Sequence, residues 1–330
     1  MKEAEWGASE MLDRLKLYSK PVMKKPCLVA AWPGMGNVAL IAVNYLKDKL
    51  GATALGELST ADFFAPTGAA VAKQIILPPE RPDNQFYYYS SPQTPNDILF
   101  FIGSIQPVPH REFEFAGELL KIAKMWGVTL VLTTAAAPSD MNYQDMPRVF
   151  AVPNETHLLK KLMEYKVHFM SEGNIAGLNG LLISVARSMK LDGICLLGEI
   201  PFFTAQIEFP KAAVRVLDVL TKLLGVRVDF LDLEMYAAQK EKEIAPLAAI
   251  LSRGAPESAE SDKEIRPDEK TVPESEKEVP RVVRMKIEKL FRDAETDGNY
   301  KLKMRLKEEL DRWNLFEDYQ DRFLDLFRKL

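Results

Sequence analysis

The sequence predicts an α/β fold, with a mainly parallel or mixed sheet covered by helices on both faces. Three observations lead to this prediction. Between residues 26 and 235, apolar runs of strand length alternate with longer runs at helical spacing. The chain has 330 residues, of which 47% are hydrophobic, so it is long and apolar enough to bury a sizeable core. The composition then changes sharply after Leu251, which separates this region from the remainder.

The elements follow in order along the chain. Residues 1–20 hold a short amphipathic segment, in which Trp6, Met11, Leu15 and Leu17 lie at roughly helical spacing. The predicted strands are Cys27–Trp32, Ala52–Leu58, Val71–Leu77, Gln85–Tyr89, Asp97–Ile102, Thr129–Thr134, Arg148–Ala151, Gly193–Glu199 and Arg227–Asp229. The predicted helices are Val38–Leu50, His110–Met125, Glu155–Glu164, Gly177–Met189 and Pro210–Leu224.

The C-terminal quarter of the sequence predicts a linker and a second unit. Residues 253–280 contain four prolines and many Glu, Lys and Ser, so they bury too little area to offset their ordering entropy. We expect an α/β core over residues 1–252, a flexible linker over 253–280 and a small all-helical segment over 281–330. The aromatic load of that segment predicts that it docks on a partner, through Trp313, Phe316, Tyr319, Phe323 and Phe327.

Charge and cysteine content exclude several classes of protein. The formal net charge of -4, from 43 basic and 47 acidic residues, gives no nucleic-acid footprint. The two cysteines, Cys27 and Cys195, lie inside apolar runs far apart, which favours a reducing compartment. No apolar stretch reaches the roughly 18 residues of a membrane span, and the N-terminus does not resemble a signal peptide. We therefore expect a soluble, cytoplasmic protein.

The first candidate binding element is the turn after the first strand. Pro33, Gly34, Gly36 and Asn37 join a buried strand to a helix, and the glycines and Asn permit a tight turn with unusual φ/ψ. A helix that begins there directs unpaired N–H groups and a positive dipole end at the space above the strand. The turn therefore predicts an anion or carbonyl site.

A second glycine-rich loop has the same character. Asn174, Gly177, Asn179 and Gly180 precede a helix that is apolar on one face, and its glycines serve either a ligand or tight helix packing. Glu199 ends a buried strand near both turns. Its carboxylate suits a ribose hydroxyl or a substrate amine, and equally a helix cap or an ion pair.

A dinucleotide-binding turn is an alternative interpretation of the first loop. Residues 34–39 fit the pattern G-x-G-x-x-G/A, and Glu57 lies about 20 residues on, where a ribose-binding acid is expected. Against it, Pro33 stiffens the start of the turn, and no cluster of His, Lys or Cys resembles hydride-transfer machinery.

Other catalytic signatures are missing from the sequence. The three histidines, His110, His157 and His168, have no metal-ligand spacing, and neither a G-x-S-x-G elbow nor a phosphate-binding P-loop occurs. We expect no catalytic residues, no metal and no cofactor.

Taken together, the motifs resemble the proteasome assembly chaperone 2 family in its prokaryotic branch, some members of which were once labelled ATP-grasp-like. The resemblance covers roughly residues 24–250. It rests on the order of motifs, which are Trp32–Asn37, Ala61–Phe64, Gly173–Gly180, Cys195–Pro201 and Pro210–Ala213.

The resemblance implies a three-layer α/β/α core similar to nucleoside phosphorylases, which self-associates, often as trimers or multiples of them. It also implies a protein partner related to the proteasome and no catalysis. Archaeal relatives that dock on the proteasome can end in a hydrophobic-Tyr-X tail, whereas Lys329 stands at the Tyr position here. The helical segment is then the expected docking element.

Two functional hypotheses follow. The first is a non-catalytic assembly or protein-binding protein, which the motif order and the poverty of catalytic constellations favour. The alternative is a small-molecule binder or enzyme with a nucleotide- or nucleoside-like ligand, in a pocket built from Gly34–Asn37, Asn174–Gly180 and Glu199. Both require the two glycine-rich loops to meet at one rim of the sheet.

Overall fold

The structure, a computed structural model, describes residues 14–65, 70–77 and 82–253, together with separate positions between Ile287 and Arg322. By its internal contacts the chain divides into two units, Met1–Glu257 and Ser258–Leu330. The predicted linker residues 254–280 lie outside the described residues, and Arg253 is the last residue of a helix.

Strands and helices alternate through the first unit, as the sequence predicts. The strands are β1 Leu15–Leu17, β2 Cys27–Ala31, β3 Thr53–Leu58, β4 Ala70–Ala72, β5 Ile75–Leu77, β6 Asn84–Tyr89, β7 Ile98–Gly103, β8 Leu130–Ser139, β9 Val149–Pro153, β10 His168–Phe169 and β11 Asp192–Pro201. The α-helices are α1 Val38–Leu50, α2 Glu112–Met125, α3 His157–Leu162, α4 Leu178–Ser188, α5 Pro210–Leu224 and α6 Leu231–Arg253.

Nine of these strands form one mixed sheet, in the order β1-β3-β6-β7-β2-β8-β11-β9-β10. The centre is parallel, since β2 pairs in parallel with β7 and β8, and β8 pairs in parallel with β11. On one side β6, β3 and β1 continue the sheet by antiparallel pairing. Because the four central strands run the same way, their carboxyl ends lie at one rim.

Helices cover both faces of the sheet, and the period of the central strand explains why. Cys27, Val29 and Ala31 of β2 belong to one core cluster, whereas Leu28 and Ala30 belong to the other. Successive strand side chains point to opposite faces, so a strand that is apolar throughout must be covered twice. Helices α1 and α5 pack in the first cluster, and α2 and α4 pack in the second.

Two helices match the predicted bounds because their ends carry clear local signals. Both α1 and α5 stop before a glycine in the left-handed region, Gly51 at φ 64° and Gly225 at φ 68°. A residue without Cβ adopts this conformation at little cost and closes the last turn. Helix α5 also begins with Pro210, whose fixed φ suits the first helical position.

Several predicted elements are wrong. Residues Arg227–Asp229 form no strand, and Leu15–Leu17 pair as a strand rather than continuing a helix; residues 1–13 lie outside the described part. The single predicted strand Val71–Leu77 is a separate hairpin of β4 and β5. It turns at Lys73 and Gln74, which both have positive φ. Helix α6 was not predicted at all.

The second unit is described at a few positions. Those between Ile287 and Ala294, together with Leu306, Glu309, Leu310, Tyr319 and Arg322, are helical. Their apolar members form a small core of their own, which includes Phe291 and Leu310. In the part of the chain that is described, no helix combines the length and apolar character needed to cross a membrane.

Candidate functional site

The two glycine-rich loops meet at the carboxyl rim of the sheet, and Asn179 joins them. Asn179 is the second residue of α4, and its side chain is buried. Its Oδ1 accepts the N–H of Trp32 at 3.0 Å, and its Nδ2 donates to the Trp32 carbonyl at 3.1 Å. The side-chain amide therefore pairs with the backbone as a neighbouring strand does, at the residue that follows β2.

Gln106 makes a second bridge between the same loops. Its Nε2 donates to the Pro33 carbonyl at 2.8 Å, and its Oε1 accepts the N–H of Leu178 at 3.1 Å. The Thr133 hydroxyl of β8 donates to the Asn179 carbonyl at 2.5 Å. The start of α4 is thus fixed to both β8 and the residues after β2.

Three backbone amides of the first turn, those of Gly36, Asn37 and Val38, are committed to internal bonds, contrary to the prediction that they lie unpaired. The Gly36 N–H donates to the Ala205 carbonyl at 3.0 Å, and the Asn37 N–H donates to Gly34 at 3.0 Å. The Val38 N–H donates to Met35. Gly36 and Asn37 do adopt the unusual backbone that the sequence predicts, with φ of 62° and 51°. These three amides are therefore not available to an anion.

Asn37 uses its side chain to hold the turn to the loop before α5 and, through Glu208, to helix α6. Its Nδ2 donates to Glu208 at 2.9 Å, and the Tyr236 hydroxyl of α6 donates to the other oxygen of that carboxylate. The Tyr236 hydroxyl, followed by the Asn37 amide, lowers the pKa of Glu208 below its ordinary value. Neither Glu208 nor Tyr236 was predicted from the sequence.

The glycines of the second loop serve packing. A Cβ at Gly180 would lie 2.5 Å from the Ile175 carbonyl oxygen, so only glycine allows the loop to fold back on α4. Gly177 has φ of 77° and lies beside the Gln106 side chain. These two positions follow the packing alternative rather than the ligand alternative.

A cavity of about 280 Å³ nevertheless lies between the loops. Of the predicted site residues, Gly34, Asn174 and Asn179 line it, whereas Pro33, Gly36, Asn37, Gly177 and Gly180 do not. Met35, inside the predicted range Gly34–Asn37, also lines it, whereas sequence reasoning missed Gln106, Met170, Glu172 and the consecutive residues Ala135–Pro138 of β8.

Glu199 lies outside this cavity and is neutralised by an ion pair. Its buried carboxylate accepts hydrogen bonds from Nε of Arg148 at 2.9 Å, from Nη2 of Arg148 at 2.5 Å and from the Ser139 hydroxyl at 2.8 Å. The Arg148 guanidinium lowers the pKa of Glu199 from 4.5 to about 2. Glu199 lines an adjacent depression of about 490 Å³, beside Asp140 and Asp145. The ion-pair alternative is the one that the structure contains.

The dinucleotide interpretation is wrong on topology. Glu57 lies on β3, which β6 and β7 separate from β2, and β3 runs antiparallel to β6. A ribose-binding acid must end the parallel strand beside the glycine turn. The Tyr18 hydroxyl donates to Glu57 at 3.3 Å on the far side of the sheet.

The remaining predicted residues fall in other environments. Tyr319 stacks on Phe291 within the second unit, with ring centroids 5.7 Å apart. Trp313, Phe316, Phe323 and Phe327 lie outside the described residues. Across the described ranges, no group of three or more His, Cys, Asp or Glu is arranged to hold a metal ion.

Comparison with known proteins gives a consistent picture. The model of the PAC2 family matches residues 28–248. An uncharacterised protein of Methanocaldococcus jannaschii is 26% identical over 241 residues, which cover 71% of this chain and 89% of the relative. The crystal structure of Pyrococcus furiosus PbaB, an archaeal proteasome activator, aligns with a TM-score of 0.61 and 26% identity, over 71% of this chain and 98% of that chain.

A second archaeal structure is similar in fold. Pyrococcus furiosus PbaA, an archaeal homolog of proteasome-assembly chaperone, aligns with a TM-score of 0.55 and 24% identity. The alignment covers 73% of this chain and 99% of that chain.

Proposed function

Since the chain belongs to the PAC2 family, we propose that it is a non-catalytic protein-binding chaperone whose partner is related to the proteasome. The similarity to an archaeal proteasome activator supports the choice of partner. The observation that carries the proposal is how the polar side chains at the carboxyl rim of the sheet are hydrogen-bonded. Asn179, Gln106 and Glu199 spend their polar atoms on the protein itself, so they stabilise a scaffold instead of offering a nucleophile or a free acid.

Exposed apolar side chains support a role in binding proteins. The hairpin of β4 and β5 exposes Val71, Ile75 and Ile76 by 69%, 64% and 73%. Large apolar side chains that lie together on a surface mark interaction sites. The proposal includes self-association into a cytoplasmic homo-oligomer, a trimer or a multiple of it. Light scattering of the full chain beside Ile75→Lys/Ile76→Lys tests this point, and we expect a smaller particle from the variant.

The partner is tested with the purified proteasome core particle of the host. We expect the full chain to co-elute with the core particle in size-exclusion chromatography. The predicted docking residues are tested in the full-length variant Trp313→Ala/Phe323→Ala, whose affinity for the core particle should fall at least about tenfold. The Met163→Ala variant, at an exposed position just after α3, is the matched apolar control and should bind normally. Absence of any complex with the core particle at micromolar concentrations would contradict the proposal.

The cavity between the loops favours a second candidate function, the binding of a nucleotide- or nucleoside-like molecule in a core similar to nucleoside phosphorylases. A thermal-shift screen with nucleosides, inorganic phosphate and NAD tests it. A stabilising shift that Asn174→Ala removes would support this candidate, and the absence of a shift with all of them would end it.

A further inference from the structure

The central strand β8 continues beyond its neighbour on one side only. Strand β11 pairs with β8 along its full length, from Leu130 to Ser139. Strand β2 pairs with β8 only from Leu130 to Thr133, and then turns away at Trp32, where the Asn179 amide takes the place of a strand. Among the described residues, the edge of β8 from Thr134 onward has no strand partner on the β2 side.

The cavity follows this open edge. It is lined by four consecutive residues, Ala135–Pro138. Successive strand side chains point to opposite faces, so a cavity that touches four in a row lies along the edge of the strand rather than over one face. The rest of the wall agrees, because Ala39 belongs to the core on one face of the sheet and Leu197 belongs to the core on the other.

Pro138 indicates which backbone groups face the cavity. Proline has no N–H to donate, and in sheets it directs its nitrogen to an unpaired side. Pro138 lies in the register with β11, opposite Ile200, so its nitrogen is expected to face away from β11. Alternate residues of a parallel strand bond to the same neighbour, which gives Ala136 the same direction. Ala136 therefore presents an N–H and a C=O to the cavity.

The charge of the cavity defines the chemistry of what fits there. Glu172 is the charged member of its lining, and Asp140 and Asp145 line the adjacent depression. Arg148, the cation of that depression, is paired with Glu199. The small side chains Ala135–Ala137 leave room beside the strand, while Met35 and Met170 supply flexible apolar walls.

We propose that this edge binds an extended, basic peptide segment of a protein partner as an added strand beside β8. This step rests on the proposed protein-binding function and names its recognition element. The four positions that β2 leaves without a strand partner, Thr134–Ala137, span about 13 Å, so the bound segment is about four residues long. Backbone bonds to Ala136 supply affinity, and a Lys or Arg beside Glu172 supplies selectivity. The cleft and Pro138 restrict the edge to one narrow chain, which protects it against sheet-to-sheet aggregation.

The test uses the full-length, isotope-labelled protein and a defined probe, acetyl-Lys-Val-Ala-Val-Lys-amide, at up to millimolar concentration. We expect the amide signal of Ala136 to move and its hydrogen exchange to slow at least about tenfold. A twin peptide N-methylated at all five backbone nitrogens lacks the donors for strand addition on either edge and should bind at least about tenfold more weakly. Equal binding of the twin, or no effect at Ala136, would overturn the proposal.

Two variants locate the site. Ala136→Pro removes the N–H that faces the cavity and should abolish peptide binding. Should that variant fail to fold, Glu172→Lys decides, because Glu172 is exposed and reversal of its charge should weaken the basic peptide at least about fivefold. Met146→Ala, an exposed apolar residue of the neighbouring depression, is the control and should bind the peptide normally. Unchanged peptide binding by Glu172→Lys would contradict the proposed site.

The outcomes separate this inference from the proposed function. Peptide binding at Ala136 without any complex with the proteasome core particle would leave the edge site standing and remove the proposed partner. A complex with the core particle that leaves Ala136 unprotected, without peptide binding, would do the reverse. Displacement of the Ala136 signal by a nucleoside and not by the peptide would overturn the edge site in favour of a small-molecule pocket.

Discussion

The hydrogen bonds between Asn179 and Trp32 give a prediction whose size follows from the structure. Asn179→Leu keeps the shape of the side chain and removes both polar atoms. In the parent protein the Asn179 amide lies 3.0 Å from the Trp32 nitrogen and 3.1 Å from the Trp32 carbonyl oxygen. In the variant these buried backbone groups lose both hydrogen-bond partners. Each buried group left unpaired costs about 1–3 kcal/mol, so we expect the free energy of unfolding to fall by about 3 kcal/mol. For a unit of this size that lowers Tm by about 6–12 °C.

Chemical denaturation followed by circular dichroism measures this loss. The matched control is Asn174→Leu, the same chemical change at an exposed position of the same loop, and it should stay within about 0.5 kcal/mol of the parent. Hydrogen exchange of the Trp32 amide adds a local readout and should accelerate only in Asn179→Leu. A loss below about 1 kcal/mol, equal in both variants, would refute the assignment of Asn179 as the element that joins the loops.

Three further predictions concern the core and the ion pair. In Gly103→Ala the new Cβ would overlap the indole ring of Trp32, so chemical denaturation should show that the free energy of unfolding falls by about 2 kcal/mol. The control Gly117→Ala in α2 places its Cβ where nothing lies within 4 Å, and it should raise the free energy of unfolding by up to about 1 kcal/mol. Equal effects of the two substitutions would contradict this packing. Because the folded pKa of Glu199 is lowered from 4.5 to about 2, its contribution to stability is complete above pH 4.5 and is lost as the pH falls towards 2, so Glu199→Gln should flatten the stability profile in that window. Arg148→Met should cost about 2 kcal/mol at pH 7, and Arg148→Met/Glu199→Met should recover part of it; a single variant as stable as the parent would show that the pair contributes nothing.

Local signals explain which parts of the fold the sequence predicts. The apolar run of β2 and the glycine caps of α1 and α5 are each recognisable from a few consecutive residues, so the sequence alone locates them. Helix α6 was not predicted because it is rich in charged residues and contains Pro246, which weakens the helical pattern. Residues 71–77 look like one strand because Lys73 and Gln74 are unusual at a turn with positive φ.

The candidate site was harder to predict because its bonds join residues far apart in the chain. The pattern predicts that the glycine-rich loops meet, and they do. It cannot reveal that Asn179 bonds to a residue 147 positions earlier, or that Glu199 pairs with Arg148 across 51 positions. A buried acid or amide is equally suited to a ligand and to an internal partner. Only the arrangement of the neighbouring strands decides between the two.

The same arrangement explains why a turn that fits the dinucleotide pattern need not bind a dinucleotide. A strand that ends abruptly under a helix requires a tight turn with unusual φ/ψ, which glycines adopt easily. This requirement exists with or without a bound ligand. Where β2 leaves the sheet, two sets of backbone groups lose a neighbour, those of Trp32 and those of β8. The Asn179 amide satisfies the first set, while the second set, around Ala136, opens on the cavity. Buried backbone groups rarely stay unpaired. Hydrogen bonds from an added strand to the backbone of β8 around Ala136 would therefore stabilise a bound chain more than bonds at Trp32, whose backbone groups are already paired.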